Sequence, residues 1–73
     1  MDADQIRAEL EAADKEIAST MTNAEFSARR YGYWLRAVQG ALRDPAMPDN
    51  VLAMKYARFR EARDAFVRWR IPA

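Results

Sequence analysis

Arg29, Arg36 and Arg43 fall seven residues apart in the middle of this chain, and Phe26, Tyr33 and Gly40 keep the same interval three residues earlier. On a helix each set forms one stripe, and the two stripes lie side by side with Arg30 extending them. The chemistry available there is recognition. A guanidinium is a planar fork of donors that fits a carboxylate or a phosphate, and aromatic rings beside it add apolar area, the combination enriched at interface hot spots. A surface helix usually fills its outer side with mixed Glu and Lys, whereas here only Glu25 stands among the bases. Glu25 can pair with Arg29 at i+4, but Arg36 and Arg43 have no acid three or four residues away. We therefore read Phe26, Arg29, Arg30, Tyr33, Arg36 and Arg43 as candidate partner-binding residues.

Catalysis finds no support. The chain has neither cysteine nor histidine, which removes thiol nucleophiles, disulfides, the usual zinc ligands and the commonest general base. No glycine-rich phosphate loop, nucleophile motif or Glu-x-x-His spacing is present, and the acids alternate with basic neighbours. The sequence reads as a non-enzyme without a cofactor, and a reducing cytoplasmic setting fits it. No apolar run approaches the roughly 20 residues of a membrane span, and Met1-Asp2-Ala3-Asp4 is unlike a basic signal-peptide start.

The 73 residues make one domain, 1–73, with a core small enough that a second copy or a partner would add usefully to its stability. Net charge is +1, yet residues 1–23 carry six acids and two bases while residues 24–73 carry ten bases and five acids. That asymmetry favours an acidic helix lying on basic ones over a general polyanion binder. Ten of the twelve bases are arginine, a bias that a GC-rich genome also produces.

Three helical segments must position these residues. The first runs from about residue 3 to 20, with Asp2 or Asp4 as N-cap and Ile6, Leu10, Ala13, Ile17 and Met21 as its apolar stripe. Thr22-Asn23-Ala24-Glu25 is a capping-box pattern, which starts a second helix over about 23–43 with Tyr31, Leu35, Val38 and Leu42 inward. Asp44-Pro45 stops it. The third runs from about 50 to 70, with Leu52, Tyr56, Phe59, Ala62, Phe66 and Trp69 inward, and Pro72 ends it. Antiparallel hairpins match Ile17 with Ala28, Leu10 with Leu35, Leu35 with Phe59 and Ala28 with Phe66. The fold expected is an all-α, small antiparallel three-helix bundle. The alternative is one helix over 3–43, about 60 Å long, with a shorter helix folded back on it and the rod paired in a dimer.

The arginines of the third helix read as structural. Arg60, Asp64 and Arg68 form an i, i+4, i+8 ladder, Arg58 precedes Glu61 by three, and Arg63 and Arg70 match the seven-residue spacing of Glu9 and Glu16. Gly32 costs the middle helix about 1 kcal/mol relative to alanine, so either a close approach or a kink is expected there.

The function expected is a protein-interaction module that uses the outer face of the middle helix, in the style of an assembly component, an adaptor or a small inhibitor, including one encoded by a phage. Its partner would be a protein with an acidic surface or a second copy of the chain. Nucleic-acid binding through the same face is the second choice, since arginines about 10.5 Å apart can reach alternate phosphates while Tyr33 or Phe26 stacks on a base. A membrane partner is not expected.

Overall fold

The helix starts and stops can be read from the atoms that satisfy their backbones. Asp2 is the N-cap of α1 (Ala3–Ser19): its Oδ1 accepts from the amides of Asp4 at 3.0 Å and Gln5 at 3.4 Å. The structure, a computed structural model, describes residues 2–19 and 25–70, with side chains placed over 2–18 and 28–68. The capping box at Thr22 and the apolar residue Met21 lie outside the described residues, as does the stop at Pro72.

Helix α2 (Glu25–Arg43) ends where Pro45 requires it to. Asp44 makes the turn that follows, its carbonyl accepting from Met47 N at 3.1 Å and its Oδ1 from Ala46 N at 2.9 Å. The Pro48 carbonyl then accepts from Val51 N and Leu52 N, both at 3.1 Å, and starts α3 (Asp49–Arg70) one residue earlier than the spacing suggested.

Helix α2 packs against both others, so the chain is the expected three-helix bundle. The longest dimension is 41 Å, too short for the fused rod of about 60 Å, and α1 lies alongside α2 instead of extending it. Ile6, Leu10 and Ala13 of α1, Tyr31, Leu35 and Val38 of α2, and Phe59, Ala62 and Phe66 of α3 form one buried cluster. Ile17, Leu42, Leu52 and Tyr56, expected inward, are only partly buried around it. Ala41 is buried too and Trp34 packs partly on the cluster; neither was anticipated. Each fully buried phenyl ring of α3 contributes about 1.5–3 kcal/mol by leaving water.

Tyr31 joins all three layers. Its ring lies 5.6 Å from that of Phe59 and 5.0 Å from that of Phe66, both tilted, while its hydroxyl donates to Glu16 Oε1 of α1 at 3.1 Å. The parallel pair α1 and α3 is tied by Glu9. Its Oε1 accepts from Arg63 Nη1 at 2.9 Å and its Oε2 from the Tyr56 hydroxyl at 2.5 Å.

The expected pairing of Glu9 with Arg63 is therefore present, and the ion pair is 20% and 28% exposed at its two side chains. Glu16 accepts from Tyr31, a bond the spacing did not suggest; the side chain of Arg70, its anticipated partner, lies outside the described residues, as does that of Trp69. Arg58 meets Glu61 at 3.1 Å as the spacing suggests. The Arg60-Asp64-Arg68 ladder does not close into ion pairs. Arg60 instead turns back over the Tyr56 ring, 5.7 Å from its centre, because a ring four residues away offers a flat negative face that an exposed carboxylate competing with water does not better.

Leu35→Ala should destabilise the bundle by about 2–5 kcal/mol in chemical denaturation, since the leucine is buried in the cluster shared by all three helices. The Tyr56 hydroxyl is held above its ordinary range, chiefly by its hydrogen bond to Glu9, then by burial and by the same carboxylate's charge. The unfolded chain thus loses this proton first as pH rises. The stabilisation is complete below about pH 10 and is lost as pH climbs through the raised folded value. Denaturation midpoints measured from neutral to strongly alkaline pH should fall in the native chain, and fall less in Tyr56→Phe.

Candidate functional site

Burying Tyr31, Leu35 and Val38 fixes the rotation of α2 and turns the opposite face outward. Arg29, Arg30, Arg36 and Arg43 are all exposed there, and among the described residues none of them makes an ion pair. Tyr33 is 63% exposed, although its ring meets Trp34 edge-on at 5.0 Å and is oriented by that contact. The side chains of Phe26 and of Glu25 lie outside the described residues.

The face is concave. Ile17 of α1 with Ala28, Gly32 and Ala37 of α2 floors an open groove of about 800 Å³, and Arg29, Tyr33 and Arg36 stand on its rim. Ala28, Gly32 and Ala37 are the small residues along its α2 side. The arrangement offers an apolar depression flanked by two guanidinium groups and a phenol. That arrangement has the chemistry to receive an apolar side chain flanked by acids.

Not all the predicted residues share this groove. Arg29, Tyr33 and Arg36 come together, Arg30 is exposed without lining it, and Arg43 belongs to a second cleft of about 250 Å³ with Arg7, Glu11, Asp14 and Gln39. Sequence reasoning missed the floor. Ala28 and Gly32, four apart, were the available signal, but Ala28 was read only as a core residue matched with Ile17.

α2 runs uninterrupted through Gly32 and Gly40, and a Cβ built on either would meet nothing within 4 Å, so neither glycine serves close packing inside the molecule. Among the described residues no three acidic side chains gather as a metal site, and no helix is long and apolar enough to cross a membrane.

Since space is open at Gly32, Gly32→Ala should raise stability by about 0.5–1 kcal/mol in thermal or urea unfolding, by removing backbone freedom from the unfolded chain. A loss of stability would mean that the glycine conformation itself is required.

Comparison with family models, with curated proteins and with solved structures finds no match to this chain.

Proposed function

We propose that this chain is a non-enzymatic protein-interaction module that binds the acidic surface of a protein partner through the outer face of α2. One observation carries the reading: Tyr33, exposed but oriented by Trp34, stands with Arg29 and Arg36 around an apolar groove, and among the described residues neither arginine makes an ion pair. An exposed arginine without a partner keeps its donors available, and an apolar floor beside it shields the bond that forms from water, which is how a few residues come to dominate an interface. Phe26 and Arg30 extend the same face by sequence position. The module would serve as an assembly component, an adaptor or a small inhibitor, including one encoded by a phage, and the reading needs no cofactor and no membrane.

Nucleic acid is the competing occupant of the face, through Arg29 and Arg36 on phosphates and Tyr33 on a base. The net charge of +1 and the acidic first helix weigh against it, because backbone-dominated binding relies on a strongly basic surface.

Tyr33→Ala and Arg36→Ala should each weaken partner binding by more than about 1 kcal/mol while leaving the helical circular dichroism unchanged. The measurement is capture from the native host with and without nuclease, with cross-links mapped onto α2. Normal capture by the double mutant overturns the assignment of the face. Binding that disappears with nuclease and falls steeply with salt assigns the face to nucleic acid.

A further inference from the structure

Among the described residues the arginines of α2 make no ion pair, and neither do two acids close to them. Glu11 and Asp14 are exposed on the flank of α1 that adjoins α2, and among the described residues neither makes an ion pair. Both line the cleft that continues the α1–α2 surface beyond the groove of Arg29 and Arg36. Arg7, the base on that flank, is already held by Asp4 at 3.3 Å. The α1–α2 surface is therefore divided lengthwise, with negative charge along α1 and positive charge along α2.

A surface divided in this way is complementary to itself. We propose that it binds a second copy of this chain, α2 of each copy lying along α1 of the other about a twofold axis parallel to the helices. Such an axis exchanges the acidic and basic halves without shifting them along the bundle. Gln39 of α2 shares the second cleft with Glu11 and Asp14. Arg36 is three residues from Gln39, about 4.5 Å along the axis, so it stands near the level of both acids and within reach of an arginine side chain. Because the twofold keeps these levels, Arg36 of one copy meets Glu11 and Asp14 of the other, and symmetry doubles the contact. The inverse arrangement, with α2 on α2, sets arginine against arginine and is disfavoured.

This inference rests on the reading of the outer face of α2 as a contact surface and names its occupant. Its test needs no other protein. Sedimentation equilibrium of the full chain, from micromolar to millimolar concentration at low salt, should show a mass rising from 8.4 kDa toward twice that value, and added salt should weaken the association. Arg36→Glu alone and Glu11→Arg alone should each weaken dimerisation by about tenfold or more, and the two reversals in one chain should restore it. Both positions are exposed, so circular dichroism is expected to stay unchanged in all three variants. A native chain that is monomeric throughout overturns self-association and leaves capture of a different protein to the nuclease-controlled experiment. A dimer indifferent to both single reversals overturns the surface assignment, and a mass increase abolished by nuclease overturns the proposal in favour of nucleic acid.

Discussion

The placement of Tyr31 is the interaction on which the rest of the molecule depends. A tyrosine buried between two phenyl rings of α3 can keep its hydroxyl there only with a partner, because an unsatisfied buried hydroxyl costs about 1–3 kcal/mol. Glu16 supplies that partner from α1. One side chain thus sets the rotation of α2 against α3 by ring packing and the position of α1 against both by a hydrogen bond. Once Tyr31 points inward, Tyr33 is carried about 200° round the helix at roughly 100° per residue, and exposure of the Arg29, Tyr33 and Arg36 face follows.

The two sides of α1 are held by different physics. Ile6, Leu10 and Ala13 enter the shared core, where association is apolar and has little directional preference. The flank toward α3 is fixed by Glu9, which receives two donors from residues a double turn apart, Tyr56 and Arg63, one on each oxygen. Two donors converging on one carboxylate specify the register of the parallel pair, which the apolar contacts alone would leave open to sliding. Arg63 also lies 5.9 Å from the centre of the Phe59 ring, so the same guanidinium that closes the ion pair covers the edge of the core.

The fold was largely legible because antiparallel hairpins bring Leu10, Leu35 and Phe59 together and because Asp2 and Pro45 punctuate the chain by known backbone chemistry. Partnerships of polar side chains were less so. Glu16 was matched by spacing to Arg70, whose side chain lies outside the described residues, and its bond to Tyr31 was not anticipated, because a heptad count contains charge but not a buried hydroxyl's need for a partner. The exposure of Arg29, Tyr33 and Arg36 followed from periodicity. The groove they border did not, because a depression depends on how small residues on two helices combine across a gap, and Ala28 looks the same in a tight contact as in an open one.

Helix α1 is also the element from which the molecule opens most cheaply. Among the described residues it is the shortest of the three at 17 residues, and it meets α2 less extensively than α3 does. Local opening that releases α1 breaks the Glu9 and Glu16 bonds and part of the core while sparing the α2–α3 hairpin, so it costs less than unfolding the whole chain. The groove has Ile17 as its α1 wall. Anything seated in it spans the joint and grips both sides, so its binding free energy adds directly to the work of prying α1 away. Occupancy of the surface and protection of the α1 backbone from solvent exchange are then two readings of one equilibrium.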